Sequence, residues 1–364
     1  MKGKIRVLQI LSSLSFGGVQ SFVMNYYSYI DKDRFCFDFL IESKDITERY
    51  KKEIEKYGGK IIIAPELQKQ PAKHIYTVAK TLESGHYDAV HCNMNYLNIV
   101  YILIAELLGV RIRISHSHNN YETTNFKNFL RKIEQPLLRH HSTYLFACSA
   151  AAGEWLYGRR GKNKTIVVKN AIDISAYLLD SKTREIVRTR YGLMDKFVIG
   201  HVGSFIEQKN HEFIVAVFRE IAKIVTNSVL LLVGSGQEEH RIRGIINEIG
   251  MEEKVIFLGQ RSDVNELLMA MDVFLFPSRF EGLPLALIEA QCSGLKCFIS
   301  DELWVDEAIM TDNIVKISLE RSPQEWASVI CQHQGERSGC RLNEKSVSYD
   351  IRSQVRILES YYGQ

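Results

Sequence analysis

Three observations predict an α/β protein of two doubly wound, Rossmann-like domains that face a central cleft. Strand-like and helical segments alternate along most of the chain, which is typical of a parallel sheet covered by helices on both faces. The alternation restarts near residue 197, after a charged and mixed stretch. At about 150 residues per domain, the 364 residues correspond to two domains.

The first set of elements runs from residue 4 to residue 115. Runs of β-branched and aliphatic residues predict strands, and runs with helical periodicity that end near glycine predict helices. The predicted strands are Lys4–Leu11, Phe35–Ile41, Ile61–Ala64, Ala89–Cys92 and Ile112–Ser115, and the predicted helices are Val19–Ile30, Glu48–Tyr57, Ile75–Ser84 and Ile99–Leu108. The first run could imitate a signal peptide, but Arg6 and Gln9 interrupt it, which favours a strand.

The second set of elements repeats the same order. Its predicted strands are Phe197–Val202, Ser228–Val233, Val255–Leu258, Val273–Phe276 and Lys296–Ser300, and its predicted helices are His211–Ile224 and Gln237–Ile249. The stretch Tyr349–Tyr362 also has a helical pattern. We therefore predict domains at 1–178 and 179–345, with 346–364 as a helix that crosses back to the first domain.

Composition narrows the class of protein. Apolar residues make up 46% and charged residues 24%, which excludes a mostly disordered chain. Seven cysteines without a CxxC pair argue against a disulfide framework or a zinc site and fit a reducing cytoplasm. The longest apolar stretch, Leu97–Val110, contains Glu106 and is too short to span a bilayer. We expect a cytoplasmic protein that is at most peripheral to a membrane.

Charge is distributed unevenly along the chain. The formal charge is +9 over residues 1–178 and −6 over residues 179–364. This asymmetry favours two domains that meet different partners.

A glycine pair follows the first predicted strand. Gly17 and Gly18 allow close approach of a ligand, and the amides of the next helix can meet an anion. The alternative is a tight turn without a ligand. The motif is not GxGxxG, which argues against a nicotinamide dinucleotide.

Two histidines end a strand of the front half. His116 and His118 are two residues apart, and we expect their side chains to point to opposite faces of the chain. This spacing suits one functional histidine better than a chelating pair. Such a histidine can exchange a proton or bind a sugar hydroxyl; the alternative is a structural role.

Two motifs of the back half point to an anionic ligand. Gly203 and Ser204 follow the first strand of this half, and Lys209 lies where the next helix begins, so its ammonium can reach a phosphate. Further on, Glu281 precedes a turn at Gly282, and Glu289 lies on the helix that follows. An unpaired carboxylate in the apolar stretch around Glu289 is costly, which argues for a ligand. The amides of Leu283, Leu285 and Ala286 can meet phosphate.

These motifs, in this order, resemble the retaining glycosyltransferases of family 4, which have the GT-B fold. The likeness covers about Phe197–Ser300, including the Gly234-Ser235-Gly236 turn, and is looser over Gly17-Gly18 and His116/His118. Capsular and exopolysaccharide members are the most similar. The resemblance implies transfer of a hexose or N-acetylhexosamine from a nucleoside diphosphate sugar, with UDP the expected nucleotide. The acceptor would be a lipid-linked glycan or oligosaccharide.

The resemblance also implies roles for individual residues. Lys209 would bind the diphosphate and Glu289 the ribose, while Glu281 and the amides after it would meet the donor sugar and phosphate. Gly18 would approach the phosphate, and Arg261 would lie near the base. His116 or His118 would line the sugar and acceptor site, with His118 preferred because Asn119-Asn120 follows it.

Two alternatives stay open beside the transferase. The family usually has Arg where this chain has Ser204, and the lost charge leaves room for a non-catalytic protein that binds nucleotide sugars. Arg279 or Arg261 could compensate. A nucleotide-sugar epimerase or hydrolase of the same fold is the other alternative.

The sequence also predicts how the protein relates to metal ions, membranes and nucleic acids. No metal is expected, because Asp31-Lys32-Asp33, formally a DxD motif, lies between a helix and a strand and reads as a turn. Lys127, Arg131 and Lys132 belong to a basic amphipathic segment that either lies on an anionic membrane or packs on its own domain. No nucleic-acid module is present.

Overall fold

The protein, described from a computed structural model, divides into two units, each built on one parallel sheet. Unit 1 is Met1–Ile172 with Ser348–Gln364, and unit 2 is Asp173–Val347. The structure describes residues 3–15, 17–118, 125–281, 284–303, 308–335, 337 and 342–364, with the backbone alone over 125–131.

Unit 1 contains a seven-stranded sheet in the order β3-β2-β1-β4-β5-β6-β7. Its strands are β1 (Ile5–Leu11), β2 (Phe35–Ile41), β3 (Ile61–Ile63), β4 (Ala89–Cys92), β5 (Ile112–Ser117), β6 (Tyr144–Ala147) and β7 (Thr165–Val167). The helices between them are α1 (Gly18–Tyr29), α2 (Glu48–Lys56), α3 (Pro71–Gly85), α4 (Asn98–Leu107), α5 (Asn125–His141) and α6 (Ala150–Tyr157).

Unit 2 contains a six-stranded sheet in the order β10-β9-β8-β11-β12-β13. Its strands are β8 (Phe197–Val202), β9 (Ser228–Val233), β10 (Val255–Phe257), β11 (Val273–Phe276), β12 (Lys296–Ser300) and β13 (Ile314–Ile317). Its helices are α7 (Ile174–Tyr177), α8 (Ser181–Arg190), α9 (His211–Ile224), α10 (Glu239–Glu248), α11 (Val264–Ala270), α12 (Leu285–Cys292) and α13 (Pro323–Cys331). The last helix of the chain, α14 (Ile351–Tyr362), belongs to unit 1 and packs against α1.

The apolar strands explain why helices cover both faces of each sheet. All six residues of β9 are buried, and so are the last five residues of β1. A strand that is apolar on both faces must be covered on both, which a parallel sheet with crossover helices achieves. Local signals fix several helix starts: the side chains of Ser149, Asp180 and Ser322 accept hydrogen bonds from amides in the first turns of α6, α8 and α13.

The predicted fold class is confirmed, and the observed boundary between the units differs slightly from the predicted one. The short helix α7 packs on α11 and α12 of unit 2, so residues 173–178 belong there rather than to the first domain. The sheets share one topological feature: strand order reverses between β1 and β4 in unit 1 and between β8 and β11 in unit 2. Ligands of such sheets bind at the carboxyl ends of the strands where the order reverses.

Candidate active site

The loops that follow β8 and β11 are tied together in unit 2. The two strands are parallel neighbours, so their carboxyl ends lie at the same edge. Three hydrogen bonds then link the loops: the Arg279 amide donates to the Gln208 carbonyl (2.9 Å), the Asn210 side chain to the Pro277 carbonyl (3.2 Å), and the Gln208 side chain to the Phe280 carbonyl (2.8 Å). Functional side chains from both loops are therefore held beside one another.

Lys209 and Glu281 form an ion pair across these two loops. The Lys209 Nζ lies 2.6 Å from Glu281 Oε1, and the two side chains are only 15% and 7% exposed. The side-chain amide of Gln208 donates to the other carboxylate oxygen (3.3 Å), and the ammonium also lies 4.9 Å from the centre of the Phe276 ring. Both charges are thus compensated, as shielding from water requires. The structure brings together the two residues that the sequence assigned to phosphate and sugar.

Glu289 lies on α12, which begins directly after the β11 loop. Tyr177 of α7 donates a hydrogen bond from its hydroxyl to Glu289 Oε1 (2.9 Å). Burial disfavours the charged carboxylate and raises the pKa of Glu289 to about 7, while the bond from Tyr177 opposes the shift. The side chain is therefore partly protonated at neutral pH. Tyr177 was not predicted, because its role depends on how α7 packs on α12.

Close backbone packing explains two of the predicted glycines. Gly234 has a φ of +136°, and a Cβ there would lie 2.0 Å from the Gly203 carbonyl oxygen. A Cβ at Gly203 would lie 2.8 Å from His201 Nε2 and 3.4 Å from Cδ and Cε of Lys209. The absence of a side chain at Gly203 therefore leaves the space in which the Lys209 side chain lies. Ser204 is exposed directly beside it.

The remaining predicted donor-site residues that the structure describes lie around the same edge of unit 2. Arg261 makes two hydrogen bonds to Asp263, at 2.8 and 2.6 Å, so its guanidinium is already engaged. Leu285 and Ala286 form the first turn of α12, whose N-cap is Pro284 and which has no side-chain cap. Gly282 and Leu283 lie outside the described residues. The roles given to these residues stay predictions.

In unit 1, Gly17 and Gly18 occupy the start of α1, after β1. Gly17 is the N-cap, with extended backbone, and Gly18 is the first helical residue. A Cβ at Gly18 would have no heavy atom within 4 Å, whereas a Cβ at Gly17 would lie 2.4 Å from Gln20 Oε1. The contact of this helix start with a phosphate stays a prediction.

His116 and His118 do not point to opposite faces, so that prediction is wrong. Their rings stack, with centroids 4.1 Å apart. Side chains two residues apart in an extended chain lie on the same face, which brings the two rings together. His118 Nε2 lies 2.8 Å from Asn93 Oδ1, and His116 Nδ1 lies 2.9 Å from His91 Nε2. The sequence missed His91 and Asn93, which lie at the end of β4.

The three imidazoles form one polar cluster, in which His91 and His116 are buried and His118 is half-buried. Burial lowers the pKa of His91 and of His118 to about 3, and it holds the pKa of His116 well below its usual range. All three are therefore neutral at physiological pH. Among the residues described, no group of three or more His, Cys, Asp or Glu side chains could hold a metal ion.

The basic segment lies on α5. Lys132 is exposed, whereas the side chains of Lys127 and Arg131 lie outside the described part of the chain. Leu138, on the same helix, is fully buried in a cluster with residues of α4 and α6, so α5 packs on its own unit. Ile133 and Leu137 are 50% and 39% exposed. None of the described helices has the length and apolar character needed to cross a membrane.

Two Rossmann-like units, each built on a parallel sheet, are typical of GT-B glycosyltransferases, and so is a charged site where the strand order reverses. Residues 183–328 match the family model described as glycosyl transferases group 1. The protein named "Putative glycosyltransferase EpsF" of Bacillus subtilis (strain 168) is 30% identical and aligns over 98% of this chain and 96% of its own length. The chain therefore belongs to the group 1 glycosyl transferases.

Other relatives agree with this assignment. The capsular polysaccharide biosynthesis glycosyltransferase CapH of Staphylococcus aureus is 26% identical over 98% of both chains. Among solved structures, HepE of Anabaena in complex with UDP and glucose has a TM-score of 0.79 and 18% identity, over 99% of this chain and 100% of its own. WaaG, a glycosyltransferase of lipopolysaccharide biosynthesis, has a TM-score of 0.66 and 15% identity, over 98% and 95%. The structural matches support the GT-B fold.

Proposed function

We propose that this glycosyltransferase is a retaining enzyme of the family 4 type. It transfers a hexose or N-acetylhexosamine from a UDP-sugar to a lipid-linked glycan or oligosaccharide during synthesis of capsular, exo- or O-antigen polysaccharide, at the cytoplasmic face of the membrane. The observation that carries the proposal is the Lys209–Glu281 pair, with Glu289 on the adjoining helix. Supporting relatives are an Escherichia coli galactosyltransferase named for UDP-Gal and GlcNAc-diphosphoundecaprenol (25% identical) and HepE, solved with UDP and glucose.

Lys209 supplies the charge that the leaving group needs. When the donor binds, its diphosphate replaces Glu281 as the partner of the Lys209 ammonium. Glu281 keeps the hydrogen bond from Gln208. The bond between the sugar's anomeric carbon and the phosphate oxygen breaks, and its electron pair goes to the diphosphate, where Lys209 stabilises it. The acceptor oxygen bonds to the anomeric carbon on the same face, and its proton passes to the departing diphosphate. No residue of the protein forms a covalent bond to the sugar.

Glu281 and Glu289 bind hydroxyl groups of the donor. Glu281, freed from Lys209, accepts hydrogen bonds from the transferred sugar. Glu289 accepts them from the two ribose hydroxyls, while Tyr177 holds its Oε1. Hydrogen bonds from a ligand favour the carboxylate, so donor binding lowers the pKa of Glu289 and releases a proton. Because Lys209 and the free amides of α12 neutralise the diphosphate, the reaction proceeds without a metal ion.

Ser204 need not abolish activity, because another arginine lies close in the fold. Arg279 is exposed, and its backbone amide is bonded to the loop that carries Lys209. It supplies the second cation that the family usually has at position 204. Arg261 is the weaker candidate, because Asp263 already binds its guanidinium.

The exposed face of α5 serves the acceptor. Ile133 and Leu137 lie one helical turn apart and are both exposed, next to the exposed Lys132. Apolar side chains beside basic residues on one helix fit the surface of an anionic bilayer. This face would hold the enzyme where a lipid-linked acceptor is found.

Binding and transfer are tested separately. Thermal unfolding is measured with UDP-glucose, UDP-galactose, UDP-GlcNAc, GDP-mannose and ADP-glucose in the presence of EDTA. A donor at about 100 times its Kd stabilises the folded state by roughly 2.7 kcal/mol, and we expect this from a UDP-sugar. Transfer is then assayed with GlcNAc-diphosphoundecaprenol, and the product's anomeric configuration is read by NMR.

The outcomes separate the alternatives. A glycosylated acceptor with the donor's anomeric configuration supports the proposal, and inverted configuration refutes the retaining mechanism. A UDP-sugar that is changed without an acceptor indicates an epimerase or hydrolase. Binding without turnover of any donor indicates a non-catalytic protein, and activity lost in EDTA but restored by Mg²⁺ or Mn²⁺ refutes metal independence.

A further inference from the structure

One hydrogen-bond chain in unit 1 connects α14 to His118. Its members are Gln9 on β1, His91 on β4, Asn93 after β4, and Tyr362 on α14, together with His116 and His118. Five of the six residues are at most 4% exposed, and His118 is half-buried. The donors and acceptors can be assigned residue by residue so that each of the five bonds has one hydrogen.

The orientation of Asn93 determines the tautomer of His118. The Asn93 NH₂ group donates to the backbone carbonyl of His91 (3.2 Å) and to Gln9 Oε1 (3.1 Å). A backbone carbonyl can only accept, so Asn93 cannot be flipped without losing this bond. Its Oδ1 therefore faces His118 Nε2 at 2.8 Å, and this nitrogen must carry the hydrogen. His118 is held as the Nε2–H tautomer.

The remaining hydrogen bonds donate in the same direction, as far as the other end of the hydrogen-bond chain. Gln9 donates from its NH₂ group to the Tyr362 hydroxyl (2.9 Å), whose single hydrogen goes to His91 Nδ1 (2.6 Å). His91 then carries its hydrogen on Nε2 and donates to His116 Nδ1 (2.9 Å). His116 Nε2 is buried and has no partner among the described residues. All five bonds thus run from His118 to His116 in one direction.

This arrangement leaves one acceptor atom available. No described residue hydrogen-bonds to His118 Nδ1, and the side chain is half-buried rather than enclosed. A proton added at Nδ1 would create a cation next to the stacked ring of His116. No member of the hydrogen-bond chain carries a negative charge that could compensate it. A hydroxyl can donate to Nδ1 without creating a charge.

Resting on the proposed transferase function, we propose that Asn93, Gln9 and Tyr362 are positioning residues. Their hydrogen bonds hold His118 as the Nε2–H tautomer, so that Nδ1 accepts a hydrogen bond from a sugar hydroxyl of the substrates. His118 then orients a hydroxyl and does not act as a general base. Tyr362, on α14, influences the tautomer of His118 through the hydrogen-bond chain and contacts neither His118 nor the substrate.

The network is tested first by ¹⁵N NMR of the full chain labelled at histidine, with signals assigned by single substitutions. We expect His91 and His118 in the Nε2–H form in the wild type. The ¹⁵N signals of His118 should shift in Tyr362→Phe, because Gln9 loses its acceptor and Asn93 loses its support. They should stay in place in Tyr361→Phe, whose ring packs on Tyr144 and Phe146 and whose hydroxyl has no hydrogen bond among the described residues. The Nδ1–H form of His118, or signals that do not move in Tyr362→Phe, would overturn the proposal.

Coupling to catalysis is tested with a double-mutant cycle. With UDP-galactose and GlcNAc-diphosphoundecaprenol, Tyr362→Phe should lower kcat/KM about tenfold, within the coupling range of residues in one hydrogen-bond network, and Tyr361→Phe should not. In a His118→Ala background, Tyr362→Phe should have no further effect. An equal loss in both backgrounds would show that Tyr362 acts independently of His118 and would overturn the proposal. If these substrates are not turned over, the transferase proposal fails for them, and the ¹⁵N spectra alone decide whether Tyr362 acts on His118. Asn93→Leu, which removes all three hydrogen bonds of this side chain at similar volume, gives a second variant if Tyr362→Phe does not fold.

Discussion

The Lys209 ammonium lies 2.6 Å from the Glu281 carboxylate, although the two residues are 72 positions apart in sequence. Both side chains are largely shielded from water, so each depends on the other in the absence of a ligand. A diphosphate that binds here must compete with Glu281 for Lys209. In the proposed donor site, the ion pair is therefore the contact that a diphosphate would displace.

Replacing Glu281 with alanine should abolish transfer. Glu281→Ala removes the group proposed to bind the donor sugar, and we expect kcat to fall by at least about 100-fold, as is typical for a lost electrostatic contact in an active site. Lys209 becomes more available, so UDP alone should bind at least as tightly as in the wild type. Kinetics and calorimetry with UDP check the two effects. Glu207→Ala, an exposed residue of the same loop, is the matched control. Undiminished turnover would refute the role assigned to Glu281.

Stability should depend on pH through Glu289. Its pKa in the folded protein is about 7, above its ordinary value of 4.5, so between these values the unfolded chain binds fewer protons than the folded one. The free energy of unfolding should therefore fall as the pH rises from 5 to 8. Glu289→Gln, which cannot ionise, should lose this contribution, so the stability of wild type relative to variant declines over that range. Urea midpoints at several pH values measure it; parallel curves for the two proteins would contradict the assigned pKa.

UDP affinity should change in the opposite sense over the same range. The ribose hydroxyls are proposed to bind the carboxylate form, so the affinity of the wild type for UDP should rise from pH 6 to pH 8 and be nearly constant in Glu289→Gln. Calorimetry in buffers of different ionisation enthalpy measures the released proton. Equal pH dependence in both proteins would remove Glu289 from the nucleotide site.

A methyl group at position 203 should damage the donor site. In Gly203→Ala the new Cβ lies 2.8 Å from the buried His201 ring and in tight contact with the Lys209 side chain. We expect a loss of stability of about 1–3 kcal/mol and weaker binding of UDP, because Lys209 is displaced. The control is Gly244→Ala in the helix α10, where a Cβ meets nothing within 4 Å. That change should stabilise slightly, and an equal response of both variants would contradict the packing argument.

Membrane attachment should depend on the exposed face of α5. Ile133→Ser/Leu137→Ser removes two exposed apolar side chains, and we expect binding to vesicles of phosphatidylglycerol and phosphatidylethanolamine to weaken at least about tenfold. Neutralising Lys127, Arg131 and Lys132 should weaken it further and reduce its dependence on salt. Leu107→Ser/Leu108→Ser, at the exposed end of α4, serves as control. Equal co-sedimentation of all variants would remove the membrane role.

The fold could be predicted where strands are apolar throughout. Strands such as β9 are buried on both faces, and this leaves a continuous run of aliphatic residues in the sequence. Strands β6, β7 and β13, which have only three or four residues each, were missed. The helix α8 was missed because it is strongly charged, and its Arg184 and Arg188 bind Asp272 far along the chain.

The candidate site was predictable only in part. Lys209, Glu281 and Glu289 follow strands in motifs whose spacing is visible in the sequence. Tyr177, Gln9 and Tyr362 are not near these motifs, and their contacts arise from tertiary packing. The stacking of His116 on His118 was predictable, because side chains two residues apart in an extended chain lie on the same face.

The split of unit 1 between the two ends of the chain has a consequence for its assembly. Residues 173–347 are synthesised before residues 348–364, so a nascent chain carries β1 to β7 while Tyr362 does not yet exist. Until then Gln9 and His91, 353 and 271 positions away, lack the hydroxyl that joins them. All strands of unit 2 are synthesised before Tyr362. The histidine cluster is therefore among the last parts of the protein to be completed, and ribosome-bound chains should expose it longer than the Lys209–Glu281 pair.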